Sequence, residues 1–388
     1  MPENHLPTIL FVDHASALGG AEHSLLWIMA QLQQKGLSLH LACTDGELST
    51  KAQEIGVDVH ILSMPRLRHS SSSLLHLPKQ ALELARIARS IQADIIHSNT
   101  TRAAIYAALA GILSHRPHIW HKRDFWLGES VPSQPRLDAW GKKMICGASS
   151  KIITNSQATS RHLPCPTTKK VVIYNGIDLS RYDPGVDSDD FRIRFGISES
   201  APVVGMVGRL RPIKGQEQFL RMAALVRAKN PEVHFLIVGG EVFQAEAGYK
   251  KELLALVKEL HLEEVVTFTG HITDIPQALA TMNVFVNPGE PEAFGLVNIE
   301  AMAMQKPVVA FAHGALPEIV TPETGILVPP GNVAALADAV AALLAEPQQA
   351  AAMGRQGRDR VAQNFTIQQT ASKIAEVYHS LITTNYDH

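Results

Sequence analysis

Short runs of apolar and β-branched residues alternate along this chain with segments whose apolar residues recur at helical spacing. Strands this continuously apolar, with helices between them, are typical of parallel sheets covered on both faces. The runs form two series, which predicts an α/β protein with two Rossmann-like domains. The runs are TILFVDH (8–14), LSLHLAC (37–43), DIIHSN (94–99), HIWH (118–121), KIITNS (151–156) and KVVIYN (170–175), then PVVGMVGRL (202–210), HFLIVGG (234–240), VVTFTGH (265–271), VFVNPG (284–289) and PVVAFA (307–312).

The boundary between the two domains is predicted from composition. Asp, Ser, Pro and Gly cluster in DLSRYDPGVDSDD (178–190), as they do in linkers. We expect an N-terminal domain over residues 1–183 and a C-terminal domain over residues 184–365. The tail after Phe365 has apolar residues at helical spacing, so a helix is predicted over residues 366–388.

Composition excludes some classes of protein. The chain of 388 residues is 46% hydrophobic, enough for two buried cores. Its net charge of -2 gives no reason to expect a nucleic-acid partner. Charge is uneven: 19 Lys and Arg stand against 14 Asp and Glu up to Asp183, which leaves 16 against 23 of the totals of 35 and 37. The front half is therefore basic and the back half acidic.

Cysteine usage and hydropathy bear on localisation. Cys43, Cys146 and Cys165 are scattered and suggest neither a metal site nor a disulfide framework, which favours a reducing cytoplasm. The start MPENHLPTILFVDH lacks the pattern of a signal peptide, and no run approaches the roughly 20 apolar residues of a membrane span.

The segment NPGEPEAFGLVNIEAMAMQKPVVAFA (287–312) is the strongest candidate site. Glu292 and Glu300 stand eight positions apart, and a helix is predicted to begin at Phe294-Gly295 between them. Free N–H groups and the positive dipole end of a helix suit a phosphate, and carboxylates accept hydrogen bonds from hydroxyls. A nucleotide-sugar, with a diphosphate between two sugars, fits this pattern. The alternative is an ordinary helix start with a solvated face.

Two turns after predicted strands are further candidates. In GRLRPIKG (208–215), Arg209 and Lys214 could converge on a diphosphate, or could be solvated charges on a surface loop. In SALGGAEHSLL (16–26), Gly19 and Gly20 would let the backbone approach a ligand closely, or could serve only a tight turn. His121, in HKRD, ends a strand and is a weaker candidate, since the chain has 18 histidines.

Together these residues resemble the retaining glycosyltransferases of family 4. The resemblance covers most of the chain and is strongest in four motifs. It implies the GT-B fold, in which two Rossmann-like domains face each other across a cleft and the C-terminal helix crosses back to the N-terminal domain. The motifs are GGAE (19–22), NGID (175–178), GRLRPIKG (208–215) and EAFGLVNIEAMA (292–303).

The resemblance also implies roles for single residues. Glu300 would hold the ribose of the nucleotide and Glu292 the donor hexose, while Arg209 and Lys214 would bind the diphosphate. His121 would lie near the sugar. The implied catalytic residues are His121, Arg209, Lys214 and Glu292, and the implied donor-binding residues are Gly19, Gly20, Arg209, Lys214, Glu292, Phe294, Gly295, Leu296, Val297 and Glu300.

The implied activity is transfer of a hexose, with retention, to an acceptor hydroxyl in polysaccharide or glycolipid synthesis. UDP-glucose or a related UDP-hexose is the expected donor, ahead of GDP-mannose, although departures such as Gly289 in place of the usual serine leave the donor open. Two cations and a helix end would stabilise the leaving diphosphate, so we expect no metal and no other cofactor. The DSD sequence (187–189) is interpreted as linker and not as a metal motif.

Other functions stay open at this point. A sugar-nucleotide epimerase of similar fold and a non-catalytic nucleotide-sugar-binding protein both fit the donor motifs. A Rossmann dehydrogenase is disfavoured, because the glycine fingerprint is missing. Expected partners are the UDP-sugar and a carbohydrate or lipid-linked acceptor. The basic front half predicts weak peripheral contact with an anionic inner membrane face through the loop Arg66–His76.

Overall fold

The chain folds into two compact α/β units. The computed structural model describes residues 7–65, 71–125, 135–241 and 248–386. The first unit contains the described residues up to Gly176 and those from Ile367 onward, and the second contains Ile177–Thr366. The division thus falls at Gly176 rather than at the predicted Asp183. The reason is a long-range pairing, since the Ile177 N–H donates to the Phe365 carbonyl oxygen at 3.0 Å.

The first unit has a seven-stranded parallel sheet in the order β3-β2-β1-β4-β5-β6-β7. The strands are β1 (Thr8–Val12), β2 (Ser38–Cys43), β3 (Asp58–Ile61), β4 (Ile95–Ser98), β5 (His118–Lys122), β6 (Lys151–Thr154) and β7 (Lys170–Val172). Its helices before the second unit are α1 (Gly20–Gln34), α2 (Glu47–Glu54), α3 (Ser71–Ser90), α4 (Thr101–Ser114), α5 (Pro135–Ala148) and α6 (Gln157–Arg161).

The second unit has a six-stranded parallel sheet in the order β10-β9-β8-β11-β12-β13. The strands are β8 (Val203–Val207), β9 (His234–Val238), β10 (Val266–Phe268), β11 (Val284–Asn287), β12 (Val308–Phe311) and β13 (Gly325–Val328). The helices are α7 (Asp189–Phe195), α8 (Gln216–Arg227), α9 (Tyr249–Glu259), α10 (Ile275–Ala280), α11 (Leu296–Ala303), α12 (Leu316–Ile319), α13 (Val333–Ala345) and α14 (Pro347–Asn364).

The alternation of side chains along β1 shows why the first sheet is covered on both faces. Ile9 and Phe11 enter a core shared with α1, while Leu10 and Val12 enter a second core shared with α3 and α4. Successive strand residues point to opposite faces, so an uninterrupted apolar strand needs helices on both sides. The prediction of two Rossmann-like parallel sheets is confirmed.

The C-terminal helix α15 (Ile367–Tyr386) belongs to the first unit. Its apolar face, which includes Ile367, Ala371, Ile374 and Tyr378, is buried in the core that also holds α1. The spacing of these residues is the helical one read from the sequence. The chain therefore returns to its first unit, as the predicted fold class requires.

The cysteine prediction was wrong. Cys146 and Cys165 form a disulfide bond with their Cα atoms 5.4 Å apart, and Cys43 is free and buried. The two residues lie on either side of β6, at the end of α5 and in the segment before β7, which the fold brings together. Their spacing in the sequence of 19 positions does not reveal this. The argument from cysteine usage for a reducing compartment is lost with it.

Three other predictions concern membrane contact and the DSD sequence. Within the part of the chain that the structure describes, no helix has the length and apolarity needed to cross a membrane. Of the predicted membrane-contact loop Arg66–His76, residues 66–70 lie outside the described residues, and Ser71 begins α3. At the DSD sequence, the Asp187 carboxylate accepts a hydrogen bond from the Asp189 N–H, which begins α7.

Candidate active site

Each sheet has one point at which the strand order reverses, between β1 and β4 in the first and between β8 and β11 in the second. The loops that follow two such strands diverge, and ligands of open α/β sheets bind in the resulting crevice. Gly19 and Gly20 follow β1, Arg209 and Lys214 follow β8, and the segment 288–295 follows β11. Apart from His121, the predicted residues thus follow switch-point strands, Gly19 and Gly20 in the first unit and the rest in the second. His121 lies in β5, which is not one of those strands.

Lys214 and Glu292 meet at the switch point of the second sheet. The Lys214 Nζ atom lies 2.9 Å from Glu292 Oε2, with the two side chains 33% and 10% exposed. The loops that carry them are also joined through their backbones, since the Glu290 N–H donates to the Ile213 carbonyl oxygen at 3.1 Å. An ammonium group has three donors, so Lys214 can bind Glu292 and a ligand oxygen together.

Gly215 permits the close approach of these two loops. It has a φ of 76°, and a Cβ atom there would lie 2.3 Å from the Pro288 carbonyl oxygen. Arg209, the other predicted cation, is half-buried and follows strand β8. Its carbonyl oxygen accepts a hydrogen bond from the Gln216 side chain at 2.8 Å. The loop after β8 is therefore held on both sides of Lys214.

Helix α11 begins where the sequence predicts, directly after Phe294-Gly295. Gly295 caps it with a φ of 77°, and a Cβ atom there would lie 2.9 Å from Glu292 Cγ. Leu296 and Val297 are half-buried and are the first two residues of the helix, where the N–H groups have no acceptor within the helix. The Phe294 side chain is buried and packs edge-to-face on Phe365, which leaves only its backbone for a ligand.

The loop after β12 supports Glu292 from the other side. The Ala315 N–H donates to the Glu292 carbonyl oxygen at 3.0 Å. Gly314 has a φ of 58°, and a Cβ atom there would lie 2.1 Å from the same oxygen. Loops from three neighbouring strands, β8, β11 and β12, thus converge on Glu292 and fix its position.

Glu300 is buried in α11 and has a partner that the sequence reading did not identify. Burial raises the pKa of its carboxyl to about 7, and a hydrogen bond from the Tyr182 hydroxyl and the charge of Arg181 oppose this shift. The backbone of Tyr182 is held in turn, since Arg358 Nη1 donates to its carbonyl oxygen at 2.6 Å and to that of Ala303 at 2.5 Å. The segment after Gly176 therefore reaches the candidate ribose carboxylate.

In the first unit, Gly19 and Gly20 begin α1. Gly19 is the N-cap, with an ordinary φ of -129°, and its N–H donates to Glu22 Oε2 at 2.8 Å. A Cβ atom on Gly19 would lie 2.9 Å from that oxygen. Gly20 is exposed at the first position of the helix. This is the tight strand–helix turn that the sequence indicates, with a helix N-terminus open at Gly20.

His121 is fully buried in β5. Its Nδ1 atom lies 3.2 Å from His97 Nε2 and 3.3 Å from Arg123 Nη2, and His97 Nδ1 is 2.5 Å from the Tyr378 hydroxyl of α15. Burial holds the pKa of His121 well below its usual range, and the charge of Arg123 adds to this effect. His121 is therefore a neutral side chain inside the sheet, and its proximity to the sugar stays a prediction.

Arg123, two residues further, was missed by the sequence reading. It is buried, and its Nη1 atom donates to Ser24 Oγ and to Asn175 Oδ1, both at 2.8 Å. Its Nε atom donates to Asn99 Oδ1. Burial lowers the pKa of Arg123 to about 10, so the guanidinium stays charged at neutral pH. Since Ser24 lies on α1, this cation ties the end of β5 to that helix.

Asp13 and Asn99 extend the same network. Asn99 Nδ2 donates to Asp13 Oδ2 at 2.7 Å and to the Ala21 carbonyl oxygen at 3.2 Å. Burial and the charge of Glu22 raise the pKa of Asp13 to about 7. Asp13, Asn99 and Arg123 directly follow β1, β4 and β5, which is the signal that could have revealed the cluster. The network supports the first turn of α1 from beneath.

Comparison with known proteins follows the same division of the chain. The family described as Glycosyltransferase Family 4 matches residues 18–181, and the family described as Glycosyl transferases group 1 matches residues 187–360. The first match contains Gly19, Gly20 and His121. The second contains the predicted cations and both glutamates.

Individual relatives are glycosyltransferases. The lipopolysaccharide core biosynthesis mannosyltransferase LpsB of Rhizobium meliloti is 34% identical over 253 residues, which cover 64% of this chain and 71% of that protein. The D-inositol 3-phosphate glycosyltransferase of Rhodococcus opacus is 32% identical over 274 residues, which cover 68% of this chain and 60% of that protein.

Among solved structures, Anabaena Alr3699/HepE in complex with UDP and glucose is 29% identical, with a TM-score of 0.85 over 97% of this chain and 100% of that one. The same protein has also been crystallised with UDP-glucose. The two family matches, the relatives and this structural likeness agree with the two parallel sheets. This chain is a glycosyltransferase that belongs to family 4 and has the GT-B fold.

Proposed function

We propose that this glycosyltransferase moves a hexose from a UDP-sugar, UDP-glucose or a related UDP-hexose, to a hydroxyl of a carbohydrate or lipid-linked acceptor in polysaccharide or glycolipid synthesis. The observation that carries the proposal is the Lys214–Glu292 pair beside the start of α11 at the switch point. The Anabaena protein crystallised with UDP-glucose supports the donor. GDP-mannose is the alternative, favoured by the similarity to a mannosyltransferase.

The second unit supplies the groups that such a donor needs. Lys214, Arg209 and the first N–H groups of α11 would face the diphosphate, whose charge grows as the glycosidic bond breaks. Groups aimed at growing charge stabilise the transition state more than the ground state. Glu292 would accept hydrogen bonds from the hexose and Glu300 from the ribose. Because fixed cations neutralise the leaving group, no divalent metal and no other cofactor is required.

The reaction would retain the configuration of the anomeric carbon. The acceptor oxygen forms its bond to the anomeric carbon on the face from which the phosphate oxygen leaves. The carbon–oxygen bond to the diphosphate breaks with its electron pair on that oxygen, and the leaving phosphate takes the acceptor proton. In this mechanism the chain needs no side-chain nucleophile.

The test is a binding series followed by product analysis. UDP, GDP and ADP, with their glucose and mannose derivatives, would be compared by thermal shift and calorimetry, since a ligand that binds the native state raises its apparent stability. We expect UDP and a UDP-hexose to stabilise the protein most. Stabilisation by GDP and its sugar derivatives alone would favour GDP-mannose as the donor, and the absence of stabilisation by any of these nucleotides would refute the function. Free UDP with a new glycoside excludes epimerisation and a purely binding role.

Metal independence has its own test. Transfer should persist in excess EDTA, and Asp187→Ala with Asp189→Ala should retain activity. Complete loss with EDTA, restored by Mg²⁺ or Mn²⁺, would show that the fixed cations do not suffice.

We also propose weak peripheral contact of the first unit with an anionic membrane. Large apolar side chains are exposed on two helices that pack on each other, Ile112 and Leu113 of α4 and Trp140 and Met144 of α5, and Lys143 is exposed beside them. Indole rings and basic groups are favoured at membrane interfaces. Flotation with anionic liposomes at low salt should carry the protein upward, and Trp140→Ser should reduce this. If the protein does not float with the liposomes, the proposed membrane contact is wrong.

A further inference from the structure

Two buried asparagines connect the loop after β11 to the start of α11. Asn287 Oδ1 accepts a hydrogen bond from the Gly289 N–H at 3.1 Å, and Asn287 Nδ2 donates to Asn298 Oδ1 at 3.1 Å. Asn298 Nδ2 then donates to the Gly295 carbonyl oxygen at 2.9 Å. Asn298 is 0% exposed and Asn287 is 6% exposed. Water therefore does not compete for these bonds, and each amide has a defined orientation.

The geometry at Gly295 depends on this connection. The carbonyl oxygen of Gly295 accepts from the backbone N–H of Asn298 at 3.0 Å as well as from its side chain. Gly295 is left-handed, and a Cβ atom there would lie 2.3 Å from Asn298 Nδ2, so the amide fills the space that a side chain would need. The turn and the asparagine are thus matched to each other.

We propose that Asn298 is a positioning residue for the donor diphosphate. By holding the Gly295 carbonyl oxygen back toward the helix, it aims the N–H groups of Leu296 and Val297 at the phosphate oxygens. A helix start binds anions through such N–H groups, and their direction follows from the turn that precedes them. This inference rests on the proposed function, because it assigns a role inside the same donor site.

Only a carboxamide meets the requirement at this position. One end of the group must donate to Gly295 and the other must accept from Asn287. A carboxylate can accept but cannot donate, and it would place a negative charge beside the diphosphate. An alanine would remove the hydrogen bond from the Asn298 side chain to the Gly295 carbonyl oxygen and would leave Asn287 Nδ2 without its acceptor. Buried polar groups without partners are unfavourable. Asn298→Asp therefore removes the donor in a side chain of equal size but adds a charge, whereas Asn298→Ala removes the donor without adding one, so the two variants are compared.

The experiment compares Asn298→Asp and Asn298→Ala with Asn283→Ala. Asn283 is a matched control, since its Oδ1 accepts from the Val203 N–H at 2.7 Å at the opposite end of the same sheet. UDP and uridine would be titrated by calorimetry, with melting temperatures recorded. We expect both Asn298 variants to bind UDP about 10- to 100-fold more weakly, the equivalent of one or two hydrogen bonds to charged groups. Uridine affinity should change little, and Asn283→Ala should lower stability without changing UDP affinity.

Asn287→Ala provides a second readout should Asn298→Ala fail to fold. Asn287 acts through Asn298, so Asn287→Ala should weaken UDP binding less than Asn298→Ala does. The double variant should lose less binding free energy than the sum of the two single losses. Wild-type UDP affinity in a folded Asn298→Asp would overturn the inference, as would an equal loss for uridine. If Lys214→Ala loses UDP binding while Asn298→Asp keeps it, only this inference fails. If both keep wild-type affinity, the proposed function fails too.

Discussion

The carboxyl ends of the two sheets use their polar residues in opposite ways. In the first unit, Asp13, Asn99 and Arg123 are buried and bind one another and α1. In the second unit, the Lys214–Glu292 pair lies at an edge where the lysine stays one-third exposed. The first edge is a closed support for a backbone turn, whereas the second presents charged groups that a ligand can reach.

This difference follows from the energetics of burial. A buried charge is tolerated only when it is paired and hydrogen-bonded, and the N–H groups of Arg123 accordingly already donate to acceptors within the protein. A partly exposed ion pair contributes little to stability and can exchange a partner for a ligand. Substitutions at the first edge should therefore cost stability, and substitutions at the second should cost function.

Arg123→Met should produce the largest effect. It leaves the Asp13 and Glu22 carboxyls buried without their cation, which costs about 3–5 kcal/mol of unfolding free energy. Thermal unfolding should show a fall in melting temperature of several degrees, whereas Arg161→Met, at an exposed arginine of the same unit, should change little. Equal melting temperatures for the two variants would mean that the Arg123 network is not a support.

Lys214→Ala should show the converse. We expect transfer to fall by about 10- to 100-fold, because a charge-assisted contact of about 1.5–3 kcal/mol is lost, while stability changes by less than about 1 kcal/mol. Arg209→Ala should act in the same direction. Lys229→Ala is the control, since Lys229 pairs with Asp338 at 3.1 Å on the exposed surface of the same unit. Wild-type turnover in both Lys214→Ala and Arg209→Ala would exclude a diphosphate site after β8.

The two glutamates should separate under titration with UDP. Glu300→Gln should weaken UDP binding, because a ribose contact is lost. Glu292→Gln should reduce transfer but keep UDP affinity or raise it, since Lys214 loses its carboxylate partner at 2.9 Å and is released toward the diphosphate. Calorimetry and a transfer assay on both variants would decide. Loss of UDP binding in Glu292→Gln alone would mean that the donor lies in the reverse orientation.

The smallest expected effect is a pH dependence. Burial raises the pKa of Glu300 to about 7, so the carboxylate is ionised above that pH and protonated below it. The ionised form is the better acceptor for ribose hydroxyls, so UDP affinity should fall as pH decreases from about 8 to about 6. The terminal phosphate of UDP also titrates in this pH range, but its contribution to the pH profile is the same for every variant. The difference between wild type and Glu300→Gln therefore isolates the carboxyl, and identical profiles would remove its role.

Much of the fold and part of the site could be predicted because they depend on neighbours in the sequence. The two strand series, the helix start at Gly295 and the positions of Lys214 and Glu292 after strands all follow from local periodicity and turn residues. Strand ends carry loops, and loops at the carboxyl ends of parallel strands carry ligands. The order of the strands in each sheet is not local, and the sequence alone left it open.

What only the tertiary structure decided involves partners far apart in the chain. Lys214 and Glu292 are separated by 78 positions and meet because β8 and β11 are neighbours in the sheet. The Arg123 network and the Cys146–Cys165 bond arise in the same way. The burial of His121 was also decided by the tertiary structure, since the sequence places it near a strand end and packing on both faces of the sheet buries it. Local patterns determine which residues end a strand, and the pairing of strands determines which of those residues a ligand can reach.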